Sequence, residues 1–375
     1  MGSLSFGSSS TAIGLDIGTG HVRVAQMRPS GAGYALTAYG FVEVPMGSVV
    51  EGEIVAPENV SAAIKELWRR AGVKGKDVCI GVSNQKVIVR LVDLPFMERA
   101  ELEGAIQYQA QDYIPMAVEE SILDFQIIGD YMTPGDEHMM EVLLVAAHRD
   151  MIAAAVQAVE GAGLRLTQID VSSFAIVRAL MGGAQQFFPD EAETSGATGV
   201  IHVSSGITNI TVVERGIPRF NRISSLAGDQ FTHAIANVLN LTFDEAETLK
   251  IKVGLPDIDT GVAQFPPDVE EQTAQVVQES LEREVNKFIA EVRRSLDYYL
   301  TQASQVRTIQ RILLTGSGAQ LKNLAGYLEK GLQAQVILGD PLASVQVPGG
   351  LQSVVTGDRM GCVTAIGLAM GGGQS

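Results

Sequence analysis

The sequence predicts an α/β protein made of two halves that open alike, each carrying inserted material. Two stretches point there. "AIGLDIGTGHVRVAQMRPSG", from Ala12, and "GVIHVSSGITNITVVERG", from Gly199, each read as an apolar strand, a turn of small residues and an alternating strand. The pattern of strands followed by helices restarts after the second stretch, and such an internal duplication predicts a ligand cleft between the halves.

In chain order, strands are expected from about Ala12 to Val44, with a turn at "RPSGAG". A helix follows from Asn59 to Ala71, where Val60, Ala63, Ile64, Leu67 and Ala71 recur at helical spacing. "DVCIGVS" and "VIVRLVDLP" read as strands, and Glu98 to Tyr113 reads as a helix ending before Pro115. Strands in "SILDFQIIGDYM" and "MEVLLVAA" lead to an Ala-rich helix from Arg149 to Glu160. The strand "LRLTQIDV" and the helix "SSFAIVRALMGG" complete this half, and the polar "AQQFFPDEAETSGAT" is the expected linker.

The second half predicts three strands and helices around Gly228 to Leu239 and Phe243 to Val253. From Val269 to about Ser304, Val277, Leu281, Val285, Phe288, Val292, Leu296 and Tyr299 form a heptad stripe, read as one long helix packed on its own domain or as a coiled-coil dimer. "RILLTGSGAQL" predicts a buried strand ending in a glycine turn at a helix start. "AQVILGDP" is a further strand, and "GCVTAIGLAM" is a closing apolar helix.

Composition narrows the function classes. The 375 residues are 46% hydrophobic, which sets aside a disordered or fibrous chain. Acidic residues number 43 against 27 basic ones, and a net charge of -16 repels nucleic-acid backbones and anionic membrane surfaces. The two cysteines, Cys79 and Cys362, sit in apolar surroundings without metal-ligand spacing, which suits a reducing compartment. No apolar run approaches the roughly 20 residues that span a bilayer, so a cytoplasmic location without direct membrane insertion is expected. "MGSLSFGSSS" and "GGGQS" are expected as flexible ends.

The glycine turns carry the chemistry. A strand that feeds a turn of Gly and small hydroxyl residues exposes backbone N–H groups, as a phosphate cradle requires. Gly18, Thr19 and Gly20 supply such a turn; Asp16 at its mouth can hold a magnesium ion through water, and Arg23 and His21 can face phosphate. In the second turn His202 stands where Asp16 stands in the first, followed by Ser204, Ser205, Gly206, Thr208 and Asn209. His202 reads either as a phosphate contact or as a residue beside the cleft. Glu247 and Lys250, three apart on a helix, read as ligands for ribose hydroxyls and a base edge or as a solvated ion pair. No histidine has a partner at zinc-ligand spacing.

The ordered strings "LDIGTGHVRV", "VIHVSSGITNITVVERGIPRF", "AGDQFT", "EAETLK" and "LLTGSGAQL" are similar to the two phosphate hairpins and the adenosine motif of the actin-like ATPase superfamily. "VDLPFMERAELEGAIQYQAQDYIPMAVEESILDFQIIG", "VLLVAAHRDMI" and "GLRLTQIDV" resemble the inserted subdomain of the type IV pilus assembly PilM family and of its relative, the division protein FtsA. The PilM family fits best, and the match runs from about Ala12 to Gly371. FtsA-type chains end in an amphipathic helix, whereas this sequence stops at "GLAMGGGQS".

The resemblance implies two ribonuclease-H-type lobes with ATP and magnesium between them. It adds Gly228, Asp229, Gly316, Ser317, Gly318 and Gln320 to the nucleotide-binding set. It also implies units at 12–78 and 169–197 (first lobe and linker), 79–168 (inserted subdomain), 198–227, 228–305 and 306–355 (second lobe) and 356–371 (closing helix on the first lobe). The partner implied is the N-terminal cytoplasmic segment of a PilN-type inner-membrane protein, with pilus motor ATPases and a platform protein beyond it. The chain would then be peripheral to the inner membrane. The family's second hairpin has Asp where this chain has His202, which predicts nucleotide binding with weak hydrolysis at most. An active ATPase, a small-molecule kinase and an FtsA-like filament are the alternatives.

Overall fold

The structure, a computed structural model, describes residues 12–31, 33–182, 196–258, 265–303 and 308–372. The expected N-terminal tail, most of the expected linker and the last three residues lie outside the described residues.

β1 (Ala12–Ile17), β2 (His21–Ser30) and β3 (Gly33–Glu43) form an antiparallel meander, followed by the short pair β4 (Val49–Val50) and β5 (Glu53–Ile54). α1 (Pro57–Ala71) starts on a proline, whose missing N–H costs nothing in a first turn. It stops at Gly72, whose φ of 63° suits a glycine. Its buried Val60, Ile64 and Leu67 cover the first sheet. β6 (Asp77–Val82) pairs in parallel with β1.

The chain then leaves this sheet. β7 (Val87–Pro95), α2 (Arg99–Ala110), β8 (Ser121–Met132) and β9 (His138–His148) build a separate antiparallel sheet in the order β7-β9-β8, with Leu102 and Ile106 of α2 buried on one face. α3 (Arg149–Gly161) leads back to β10 (Arg165–Val171), which pairs with β6. Residues 79–82 and 165–168, inside the expected insertion, therefore pair within the first sheet, and the three-stranded sheet spans residues 87–148.

α4 (Ser172–Met181) ends this half. The second half repeats the meander as β11 (Ala197–Val203), β12 (Thr208–Glu214) and β13 (Ile217–Ser224). α5 (Gly228–Leu239), α6 (Phe243–Val253) and the 32-residue α7 (Glu271–Gln302) follow. All seven residues of the heptad stripe are buried in the second half's own core beside Phe231 and Leu314, so the stripe is a packing face of one helix.

β14 (Ile309–Thr315) pairs in parallel with β11 and with β15 (Gln335–Leu338), with α8 (Leu324–Leu332) between them. The helix start expected at "GSG" is instead a 3₁₀ turn, Ser317–Gln320, and α8 begins only after Asn323 at φ 69°. A left-handed residue there breaks the helical path. β16 (Val345–Gln346), α9 (Gln352–Gly357) and α10 (Val363–Gly371) return to the first half.

The sheet orders are β10-β6-β1-β2-β3-β16 and β13-β12-β11-β14-β15. Each lobe is thus a three-stranded meander with two parallel strands beside its first strand, so the duplication read from two hairpins extends through the sheets. Among the described residues, no helix is long and apolar enough to cross a membrane.

Candidate functional site

The two glycine turns leave equivalent strands and meet. In the first, the Gly18 N–H donates to the His21 carbonyl (2.9 Å); in the second, the Ser204 N–H donates to the Ile207 carbonyl (3.0 Å). A Cβ on Gly206 would lie 2.3 Å from Thr19 Oγ1, so the turns touch only because Gly206 has no side chain. At the floor, Ser83 from the end of β6 donates to Asn209 Oδ1 on β12 (2.6 Å), a buried tie between the lobes.

Three helices start at this junction. α5 points its first turn at the second hairpin, the Gly228 and Asp229 N–H groups donating to the Ser204 and Ser205 carbonyls at 3.0 and 2.9 Å. α4 brings Ser172, and the start of α10 brings Gly361 and Thr364. Their dipoles add positive potential where the turns expose backbone, which favours an anionic ligand.

The cleft has two compartments. The inner, about 60 Å³, is lined by Asp16, Gly18, His202, Ser204 and Asn209 together with Ser83, Ser172 and Thr364. The outer, about 680 Å³, is lined by His21, Gly228, Asp229, Glu247, Lys250 and Gly318, with Pro45 and Met46 from the first lobe and His233 and Phe243 from the second. Thr19, Gly20, Arg23, Ser205 and Ser317 line both. The outer volume lies within the roughly 300–1,000 Å³ of small-molecule sites.

Four expected positions do not line the cleft. Thr208 is fully buried with its hydroxyl donating to the Leu226 carbonyl (2.7 Å), Gly206 packs on Thr19, Gly316 sits behind the 3₁₀ turn, and Gln320 is exposed.

Burial pushes the Asp16 carboxyl up to about 6, opposed by Arg23 and reinforced by Asp358. Burial and then Arg23 push the His202 imidazole down to about 3, so it is neutral at neutral pH. His202, which lines the inner compartment, is 7% exposed and its buried Nδ1 has no hydrogen-bond partner. Burial, and then Arg23, also lowers His21.

Lys250 is buried. Its Nζ lies 2.6 Å from Glu247 Oε2 and donates to Thr232 Oγ1 (2.8 Å) and to the Gly228 carbonyl (3.3 Å). Lys250 is therefore built into the cleft wall, while the Glu247 side chain stays about 35% exposed.

Arg23 makes a partnership that the sequence reading missed. Its Nε and Nη2 donate to Asp358 Oδ2 and Oδ1 at 2.7 and 3.1 Å, and the Tyr39 hydroxyl donates to Oδ2 at 2.5 Å. Ser83, Ser172 and Thr364 were missed as well; the available signal was a hydroxyl residue at each predicted strand exit or helix start.

Comparison with known proteins agrees with this architecture. The sequence profile of the type IV pilus assembly protein PilM family matches residues 14–372. The cell division protein FtsA of Escherichia coli K12 is 24% identical over 238 residues, 60% of this chain and 55% of that protein, so the match spans about half of this relative's length. Among solved structures, a PilM-PilN type IV pilus biogenesis complex superposes with a TM-score of 0.81 at 25% identity, covering 98% of this chain and 100% of that one. MreB 5 of Spiroplasma citri bound to AMPPNP gives 0.54 at 12% identity over 97% of this chain and 96% of its own, a likeness of fold alone. The fold is actin-like, and the chain belongs to the type IV pilus assembly protein PilM family.

Proposed function

We propose that this chain is a cytoplasmic adaptor of the type IV pilus inner-membrane machinery, in which ATP held between the lobes braces them with little or no turnover. The observation that carries the reading is the convergence of two glycine turns, three helix starts and Arg23 on one cleft whose second turn offers a neutral His202 in place of a carboxylate. The narrow inner compartment and its junction suit phosphates, and the wider outer one suits a nucleoside beside Glu247 and Lys250.

The residues present fit a magnesium ion on the first lobe's side only. Among the described residues, Asp16 is the one carboxylate lining the inner compartment and would accept from the ion's waters, while His202 offers no oxygen. The ion would neutralise phosphate charge. With one acid missing, the chain's own groups bind and orient the nucleotide more than they activate water.

The partner reading rests on the likeness to the PilM-PilN complex. The partner is a PilN-type inner-membrane protein, whose N-terminal cytoplasmic segment docks on the inserted sheet and α2. Phe96 and Tyr108 are exposed there, Tyr108 by 77%. Docking of this kind makes the chain peripheral to the inner membrane and places it between that complex and the motor ATPases and platform protein.

Calorimetry with Mg-ATP, a phosphate-release assay and titration with the N-terminal cytoplasmic peptide of a PilN-type protein test this directly. ATP binding, negligible release and saturable peptide binding are expected. Rapid release abolished by Asp16→Ala would overturn the adaptor reading, and absence of ATP binding would overturn the nucleotide reading.

A further inference from the structure

We propose that Asp358 is a positioning residue for phosphate recognition: it holds the Arg23 guanidinium side-on, so that the guanidinium's remaining donors are presented where the two compartments meet. This rests on the nucleotide reading and extends it to a residue outside both glycine turns.

The geometry is specific. Arg23 binds Asp358 through Nε and one Nη, which leaves the other donors of the planar group unused by Asp358. Both carboxylate oxygens are taken, Oδ1 by Arg23 and Oδ2 by Arg23 and the Tyr39 hydroxyl. Arg23 and Asp358 are 9% and 7% exposed, and Arg23 lines both compartments. A Cβ on Gly361 would lie 2.2 Å from Asp358 Oδ1 and 2.7 Å from Arg23 Nη2, so the backbone that lines the inner compartment passes directly over the pair.

Stability alone explains this arrangement poorly. Taking two charges out of water costs about as much as their attraction returns, and apolar groups of similar volume serve a core as well or better. Arg23, which lines both compartments, stands at their junction on the strand that follows the first glycine turn, paired with Asp16. A guanidinium fixed in this way binds a phosphate group without first losing side-chain freedom. The carboxylate does not repel that phosphate strongly, because both its oxygens are covered by donors.

Asp358 thus acts on phosphate-bearing ligands and not on the nucleoside. Calorimetric titration of the full chain with ATP and with adenosine, in wild type, Asp358→Asn and Tyr39→Phe, tests it. Asp358→Asn turns an acceptor into an amide that faces the guanidinium with N–H groups. It should weaken ATP at least roughly 10-fold while changing adenosine by less than about 2-fold. Tyr39→Phe removes one bond to Oδ2 and should weaken ATP by roughly 2- to 3-fold, again sparing adenosine.

Unchanged or tighter ATP binding in Asp358→Asn overturns the proposal, as does equal weakening of both ligands, which marks a merely structural role. If Asp358→Asn does not fold, the ATP-to-adenosine ratio in Tyr39→Phe decides: a fall supports positioning, and no change overturns it. A wild type that binds neither ligand overturns the nucleotide reading and this inference with it. A wild type that binds adenosine and ATP equally overturns this inference alone.

Discussion

Asp16 and His202 occupy the same place in the two lobes: each is the penultimate residue of its lobe's first strand, and each faces the strand beyond its turn, Asp16 opposite Arg23 and His202 opposite Asn209. One copy of the duplicated unit thus brings an acid beside a guanidinium, and the other a buried imidazole beside an amide. The backbone frame is shared and the electrostatics are not.

That difference has a pH signature. The folded pKa of His202, about 3, lies below the roughly 6.5 of a free imidazole, so the unfolded chain binds the proton first. The contribution is present above pH 6.5 and is lost as pH falls toward 3. Asp16 has the opposite sign: its folded value, about 6, lies above that of a free carboxyl, so its contribution is lost as pH rises through 6. Because Asp16 is common to both proteins, comparing wild type with His202→Asn isolates the histidine. Denaturant titrations at pH 6.5 and 4.5 should show wild type losing about 2 kcal/mol more than the variant. Parallel losses would mean that the imidazole is not held neutral.

Gly367 supplies a sign test for the closing helix. In an exposed helix, Gly→Ala gains roughly 1 kcal/mol. Here a Cβ would lie 1.8 Å from the Ala175 carbonyl oxygen, so α10 and α4 can approach this closely only with glycine at the crossing. Gly367→Ala should therefore destabilise, by roughly 2 kcal/mol or more, and lower the melting temperature by about 2–3 °C or more. A raised melting temperature would show that the helices are free to separate.

The same crossing shows what was legible in the sequence. The closing helix was readable as an apolar run, but the partner of Gly367 lies 192 positions away at Ala175, and no local pattern encodes that contact. Asp16, Arg23 and His202 were readable because hairpin chemistry is local: strand, small residues, strand. Asp358 lies in "TGDRMG", 335 positions from Arg23, and no local pattern there marks it as the partner of a guanidinium. The "GSG" turn misled in the opposite direction. Its glycines imitate a helix start, but the helix waits for Asn323 to turn the chain.

Glu247 and Lys250 offer a test of coupling. Lys250→Met leaves Glu247, about 35% exposed, beside Thr232 without its cation and removes the Lys250 hydrogen bond to Thr232, and should cost about 1 kcal/mol. The double variant Lys250→Met/Glu247→Gln removes the orphaned charge and should recover roughly half of that loss. Thermal melts of the two single variants and the double variant close the cycle. Additive effects would mean that the two side chains do not act as one unit.

The adaptor reading makes its sharpest demand at His202. If the missing acid is what keeps turnover low, His202→Asp restores a carboxylate at the position equivalent to Asp16, facing the inner compartment from the second lobe. One preorganised electrostatic element is commonly worth roughly 10²–10³ in rate. The new acid sits in buried surroundings that disfavour its charge, and Ser172 rather than a carboxylate lines the compartment from the start of α4, so an increase of about 10-fold in phosphate release is expected. Affinity for ATP without added metal should fall in the same variant, because a second carboxylate repels phosphate unless a cation lies between them. A variant that gains no turnover while keeping its affinity would locate the limit on hydrolysis elsewhere, in the Ser83–Asn209 tie that holds the lobes together or in the absence of a carboxylate at Ser172.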